Sequence, residues 1–438
     1  MASTYLQRTQ GTATNRNIFT VSMWVKHSKL GSQTSAHQYM DFYVSADIRI
    51  SIYQMNSDQL AIYMKGGGYA DNIFYTTAKY RDTSAWYHFV WRFDTTQSTA
   101  ADRVRMYVNG EQVTDFVSTN YPAQNFNLQQ GTSSYTHYIG RYGGGTTNYF
   151  DGYMSHVHFC DGYSYAPTEF GETDSTTGEW KIKTSPSVSY GNNGFFILKD
   201  GNSVTDQSGQ GNNLTVGGGT LTKTEDNPSN VFATWNPLDH KSTGWNMQNG
   251  NTRLQGTGGD TWETRRAIST IGASSGKYYA EQKMTTAGND SYPFGVGYDV
   301  FELSYSSSMG SNSNFWGYYQ PSGGQIYGGG TGSPLETSLG GGTGDVIGIA
   351  LDIDNLTLQF YKNGSTMGSQ ITGLPSGKTW FFASSGYGNT NTFDCNFGNG
   401  YFGTTAVASA GTNASGIGIF EHDVPNGYTS LSTKGLNL

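Results

Sequence analysis

At 438 residues the chain is too long for one ordinary sandwich, and two or three domains are expected. Charged residues make up only 13% and aromatic residues 14%, with 60 Gly, 31 Tyr and 10 Pro, a balance that excludes long helices and gives too much apolar ring surface for a disordered chain. The net charge of −8, with no basic run longer than Arg265 and Arg266, excludes a phosphate-tracking surface and with it nucleic-acid binding.

The opening residues, "MASTYLQRTQGT", lack a basic-then-apolar signal pattern, and no stretch approaches a membrane span, so no membrane insertion is expected. Strands begin at once. "FTVSMWV" (19–25) places Phe, Val, Met and Val on one face, and "IRISIYQM", "QLAIYMK" and "WYHFVWRFD" follow with the same period of two. In "RVRMYVNGEQV" (103–113), Asn109 and Gly110 supply the two positive φ angles of a type I′ hairpin turn. "HYIGRY" and "FDGYMSHVHF" close a first unit spanning residues 1–170. Residues 171–234 are mostly polar around one apolar piece, "GFFIL" (194–198), and predict a partly ordered connector that packs on its neighbours. A second unit, 235–402, contains "KYYAEQKM", "YPFGVGYD", "FWGYY", "DVIGIALDID", "LTLQFYKNG" and "WFFASSGY"; residues 344–367 read as a three-strand meander turning last at Asn363 and Gly364. Residues 403–438 form a tail expected to pack on the second unit. Cys160 and Cys395 sit in separate strand-like runs and read as buried free thiols rather than an interdomain disulfide. Gly-Gly-Gly triplets beginning at 66, 143, 217, 328 and 340 are placed in loops, since glycine weakens a strand.

These residues resemble known families. "FTVSMWVK", the Trp86-Tyr87-His88 motif, "RMYVNGEQV" and "FDGYM" resemble a laminin-G/pentraxin-type domain over most of residues 1–170. "GKYYAEQKM", "FGVGYD" and "GDVIGIALDIDNLTLQFYKNG" resemble a SPRY domain. Both resemblances imply an all-β chain of two concanavalin A-like antiparallel jelly-roll sandwiches, each using its Asn-Gly hairpin at an equivalent place. The whole arrangement also resembles a virion protein of marine tailed phages, in which a start like "YLQRTQGTATNRNIFTVSMWVK", a connector like "NNGFFILKDGNSVTDQSGQGNNLTVGG", a SPRY unit and an end like "IFEHDVPNGYTSLSTKGL" stand in this order. That resemblance implies a non-enzymatic structural protein on the virion surface, a tail fibre or appendage binding other virion proteins and a host cell-surface glycan or protein. A head-surface decoration protein and a cellular glycan-binding lectin are the alternatives. Fibres are often trimers, but no heptad or β-helix repeat here forces one.

A retaining glucanase on this fold needs two carboxylates about 5–5.5 Å apart, but Glu-x-Asp occurs only at Glu172 and Asp174 and at Glu421 and Asp423, without the second Glu. His156 and His158 share strand spacing, with Cys160 next on the same face, yet no further ligands cluster nearby, so structural histidines are expected. Asp94, Asp102 and Asp151 are the nearest acidic candidates for the calcium that laminin-G units often hold; they map onto no calcium motif, and neither a cofactor nor a structural Ca²⁺ is predicted. "GNGYFG" (398–403) spells a dinucleotide fingerprint without a βαβ context. Aromatics remain: Tyr142, Tyr149 and Phe150 beside a glycine loop in the first unit, and Trp316, Tyr318, Tyr319 and Tyr327 in the second, are the candidate binding residues, against core filling as the simpler reading of any one of them.

Overall fold

The computed structural model describes residues 3–31, 36–66, 71–128, 133–199, 203–239, 244–257, 266–286, 291–299, 312–321, 323–386 and 391–438; Arg265 and the triplet positions 67 and 68 lie outside them. Strand accounts for 46% and helix for 3%, the latter in 3₁₀ turns such as Pro167–Glu169. The chain is all-β and divides into two compact units, Met1–Lys223 and Thr224–Leu438.

The first unit stacks two antiparallel sheets. One has eight strands in the order Phe116–Ser118, Asn72–Lys79, Gln59–Lys65, Ile48–Gln54, His37–Ser45, Thr136–Ile139, Tyr5–Thr9 and Thr215–Gly218. The other has six, in the order Phe195–Ile197, Gly152–Asp161, Ile18–His27, Tyr87–Asp94, Val104–Val108 and Glu111–Gln112. The period of two read from the sequence is the reason they meet: Phe19, Val21, Met23 and Val25 face Met40, Phe42, Ile50, Ile52, Ile62 and Met64 across one core, all at most 1% exposed.

The stretch expected as a connector divides between the two units. Phe195–Ile197 pairs with Gly152–Asp161 in the register Val157↔Ile197 and Phe159↔Phe195, and both Phe195 and Ile197 enter the core. Thr215–Gly218 adds a strand beside Tyr5–Thr9. Between them Asp206 organises the turn-rich "DQSGQGNN": its carboxylate accepts from the backbone N–H of Phe196, Ser208 and Asn212 and from Ser208 Oγ, all at 2.8–2.9 Å. Both open sheet edges need a backbone partner, and residues 171–223 supply one to each. From Thr224 the chain belongs to the second unit, where Phe232, Ala233 and Trp235 are at most 1% exposed.

The second unit again stacks two sheets. Seven antiparallel strands run in the order Trp245–Gln248, Arg253–Gly256, Thr392–Asn396, Lys277–Thr286, Val346–Asp352, Thr357–Lys362 and Ser365–Thr372, with Thr429–Ser430 added in parallel to Lys277–Thr286. Five run in the order Arg266–Ile268, Trp380–Gly386, Ser291–Tyr298, Phe315–Tyr319 and Gln325–Gly328. The tail docks on this unit: Phe420 and Val424 pack with Tyr279 and Ala350. The "GNGYFG" stretch becomes the hairpin of Tyr401–Phe402 with Thr405–Ala406, which has no place for a dinucleotide. Cys160 and Cys395 are buried free thiols, one in each unit.

Both Asn-Gly hairpins form as read: Asn109 and Gly110 have φ of 48° and 85°, and Asn363 and Gly364 have φ of 48° and 79°. At Gly110 a Cβ would also stand 2.6 Å from the Trp180 ring, which closes over the turn. Gly110→Ala is therefore expected to lower the stability of the first unit by about 1–3 kcal/mol, read from its denaturation midpoint, whereas Gly364→Ala, whose nearest neighbour is the His422 ring at 3.0 Å, costs the second unit less.

Candidate functional site: a tyrosine–arginine sheet face

In the eight-stranded sheet the same alternation that sends Phe42, Ile50, Ile52, Ile62 and Met64 inward sends their neighbours outward. Tyr5, Tyr43, Tyr53, Tyr63, Tyr75 and Tyr138 share the outer face, all half-buried, with Arg49, Asp41 and Ser51 among them. Cross-strand register sets the rows: Gln7↔Tyr138, Tyr138↔Asp41, Asp41↔Ser51 and Ser51↔Tyr63 in one, Thr136↔Tyr43 and Tyr43↔Arg49 in the next. The loop after Thr136–Ile139 folds back over this face and adds Arg141, Tyr142 and Tyr149. It is held by the Gly143 N–H, which donates to Asp41 Oδ2 at 2.7 Å, and a Cβ at Gly143 would stand 2.4 Å from Tyr43. Glycine also carries the edge of the platform: a Cβ at Gly217, in Thr215–Gly218, would lie 2.2 Å from the Tyr5 ring. Two of the glycine triplets placed in loops thus reach onto strands, at Gly217 and at Gly328 (which ends Gln325–Gly328), in each case where a ring crowds the backbone: Trp316 would be 1.9 Å from a Cβ at Gly328.

Two guanidinium groups are inserted between these rings. Arg141 lies over Tyr5 at 4.3 Å and Tyr138 at 4.7 Å; Arg49 lies over Tyr63 at 4.6 Å and Tyr142 at 5.0 Å and donates to the Tyr142 hydroxyl. Tyr43 meets Tyr142 edge-on at 5.6 Å, and Tyr149 reaches Tyr5 at 6.2 Å. Beneath them Asp41 is fully buried; Ser51 Oγ donates to its Oδ1 at 2.8 Å. Burial pushes the Asp41 carboxyl up to about 6, against the pull of the Gly143 and Ser51 hydrogen bonds and of the two arginines. The rim is charged: Lys65 pairs with Asp47 at 2.8 Å, and the Tyr63 hydroxyl donates to Asp71 at 2.8 Å. Half-exposed rings that stack, flanked by fixed donors, can hold a flat polar ligand without reacting with it.

The structure sorts the residues predicted from sequence. Tyr142 and Tyr149 join this face. Phe150, adjacent in sequence, turns inward against His27, His37 and Tyr39. In the second unit Trp316 and Tyr318 are core residues, 7% and 0% exposed; Trp316 packs on Tyr298 and Trp380, and the Tyr318 hydroxyl donates to the Gly340 carbonyl at 2.6 Å. A surface contact through Phe150, Trp316 or Tyr318 is therefore set aside: strand alternation points Trp316 and Tyr318 into the second core, and Phe150, in the loop before Gly152–Asp161, packs into the first. Tyr319 and Tyr327 occupy the opposite face of their sheet and cluster with Tyr292, at 4.7 and 5.9 Å from it and 5.5 Å from each other. Tyr5, Tyr43, Tyr63, Tyr138, Arg49 and Arg141 were not singled out from sequence. The period-two pattern placed several of them outward, but nothing along the chain tells which outward residues become cross-strand neighbours.

The acidic and histidine candidates are placed as follows. Asp94 accepts from Thr96 and Gln97 in its own turn, Asp102 pairs with Arg105, and Asp151 pairs with Lys29 at 3.7 Å. Glu172 and Asp174 share Lys181, and Asp423 accepts from Thr412. Among the described residues no group of three His, Cys, Asp or Glu is placed to hold a metal. His156 sits in a bulge at φ 48°, and His158 stacks on Phe196 at 4.0 Å beside Tyr190. One contact has the spelling of a nucleophile and base: Ser22 Oγ lies 2.8 Å from His88 Nε2. It is not one. His88 Nδ1 accepts from Trp180 Nε1 at 3.0 Å, and burial holds the imidazole neutral, down to about 3, so Nε2 carries the proton and donates to Ser22.

Two concanavalin A-like sandwiches, with an aromatic face on the first, define a chain built from lectin-like and SPRY binding folds. Comparison with known families agrees: residues 1–169 match the family model described as "Concanavalin A-like lectin/glucanases superfamily", the laminin-G type, and residues 277–400 match the SPRY domain. The chain thus carries a laminin-G-type domain followed by a SPRY domain. Curated relatives include Ran-binding protein 10 of Danio rerio and Ran-binding protein 9 of Homo sapiens, each 31% identical over 144 residues, 32% of this chain and 23% and 19% of theirs. The matched part is thus less than a quarter of either relative. Among solved structures, the SPRY domain of human HERC1 aligns with TM-score 0.29 and 18% identity over 37% of this chain and 96% of its own. A pentraxin from Limulus polyphemus aligns with TM-score 0.28 and 14% identity over 38% and 72%.

Proposed function

We propose that this is a non-catalytic attachment protein of a tailed-phage virion, a fibre or surface appendage whose first sandwich grips a host-surface glycan and whose SPRY unit docks on a protein. The observation that carries the binding half is the tyrosine–arginine face: eight half-buried tyrosines line one sheet and its returning loop, with two arginines intercalated. Stacked rings and in-plane donors are what recognition of a sugar's faces and hydroxyls requires. Its SPRY relatives bear names that record binding of Ran, and a protein partner for the second unit follows that pattern. The virion assignment rests on the ordered resemblance of start, connector, SPRY unit and end to a phage particle protein.

A glycan array on the intact chain tests the binding half, with capture of host-envelope polysaccharide as the expected result. Tyr5→Ala and Tyr63→Ala are each expected to weaken it about tenfold, near 1.4 kcal/mol, through the loss of one stacking ring. Mass spectrometry of purified particles tests the setting: absence of the chain from particles removes the virion reading and leaves a cellular lectin. Antibody-gold labelling separates a tail position from head decoration.

A further inference from the structure

We propose that the ligand of the tyrosine–arginine face is an acidic oligosaccharide, its anionic groups seated on Arg49 and Arg141; the proposal rests on the glycan reading above and specifies its ligand. Each guanidinium lies over two tyrosine rings, its central carbon 4.3–5.0 Å from their centroids. Ring contact of this kind holds a guanidinium by its charge and leaves N–H donors for hydrogen bonding. Arg49 gives one donor to the Tyr142 hydroxyl; its Nε and that of Arg141 are buried with no hydrogen-bond partner. Neither arginine makes an ion pair with a described residue. Of the two carboxylates that feel these charges, Asp41 lies beneath the face with its oxygens engaged by the Gly143 N–H and Ser51 Oγ, and Asp47 pairs with Lys65.

Some basic side chains of the chain find acids, as Arg253 forks onto Asp394 at 2.6 and 2.7 Å, Arg105 meets Asp102 and Lys277 meets Asp352 at 2.9 Å; others, Arg103 and Lys362 among them, give their donors to backbone carbonyls. Arg49 and Arg141 are thus held on one face by ring contacts, with no ion pair to a described residue. Guanidinium is suited to carboxylate and sulfate, which it meets with two parallel N–H donors, and stacking has already ordered it for that contact. Arg49 lies on Ile48–Gln54 and Arg141 follows Thr136–Ile139, with His37–Ser45 between. Two strand spacings are about 10 Å, the reach of a short oligosaccharide rather than of a single small anion. Rings stack the sugar faces while the arginines take its acids.

Calorimetric titration of the full chain tests this with four probes: an oligogalacturonate, the same oligosaccharide with its carboxyls reduced to alcohols, a sulfated oligosaccharide and a single-stranded oligonucleotide. Expected is binding of one acidic sugar at least tenfold tighter than of the reduced one, the uronate and sulfate arms telling which acid is meant. Arg49→Gln and Arg141→Gln should each erase that ratio, bringing the acidic and the reduced sugar to equal affinity. Arg141→Lys should restore only part of it, since lysine keeps the charge without the planar fork. A thermal midpoint unchanged from the parent confirms that each variant folds. Equal affinity for acidic and reduced sugars overturns the acidic ligand and leaves glycan binding standing. Silence toward every sugar removes both, and tighter binding of the oligonucleotide than of any sugar reassigns the arginines to phosphate and overturns the proposal.

Discussion

A fragment ending at residue 170 is expected to stay unfolded, while one ending at Lys223 folds cooperatively. The shorter fragment lacks Tyr190, Phe195, Phe196, Ile197, Leu198 and Leu214, each at most 7% exposed in the intact unit. At about 1.5–3 kcal/mol for each buried side chain, the loss is roughly 10–20 kcal/mol. A whole domain is stable by only about 5–15 kcal/mol. Two further costs point the same way. Gly152–Asp161 becomes an open edge with Val157 and Phe159 uncovered, and Asp161 loses the Asn193 N–H that donates to it at 3.1 Å. Circular dichroism with a urea titration decides it: a sigmoidal transition for residues 1–170 near that of residues 1–223 would falsify the assignment of 171–223 to the first sandwich.

That boundary shows where legibility in the sequence stops. Within a strand the alternation of apolar and polar residues is local, so Phe19, Val21, Met23 and Val25, or Ile347, Ile349 and Leu351, announced both their strands and their buried faces. The Asn-Gly turns were equally local, since the two positive φ angles are a property of the dipeptide. Phe195–Ile197 is only three residues long among glycines and asparagines. Its strand character comes from the edge of Gly152–Asp161, which is forty residues away, and no window along the chain contains both. The binding face has the same difficulty. Tyr142 and Tyr149 stood out beside a glycine loop, but the rings they join lie on strands brought together by register. Trp316 and Tyr318 looked equally aromatic and alternate with Tyr319, yet one step along a strand separates core from surface.

The tail shows how a single buried group can be asked to hold a whole segment. Glu281, fully buried on Lys277–Thr286, accepts from the backbone N–H of Glu421 and His422 at 2.8 Å each, from the Tyr279 hydroxyl at 3.2 Å and from Asn396 Nδ2 at 3.4 Å. Two of those donors belong to the tail, and Phe420 packs beside them on Tyr279. Burial, helped by the nearby Glu421 charge, pushes the Glu281 carboxyl from 4.5 up to about 7, against the pull of the two N–H groups. The folded second unit therefore holds this proton more tightly than the unfolded chain does. Its contribution to stability is full below about pH 4.5 and is lost as pH rises towards 7, by roughly 3 kcal/mol. Glu281→Gln abolishes that slope, because nothing at the site then ionises. The same change sets an amide NH₂ against the N–H of Glu421 or His422, donor facing donor, at about 1–3 kcal/mol. The expected result is a second unit whose midpoint no longer falls between pH 4.5 and 7 while the amides of Glu421 and His422 exchange with solvent about 10- to 100-fold faster, read by hydrogen–deuterium exchange. Unchanged protection of those two amides in the variant would mean that the apolar contacts of Phe420 and Val424 hold the tail and that the carboxylate does not.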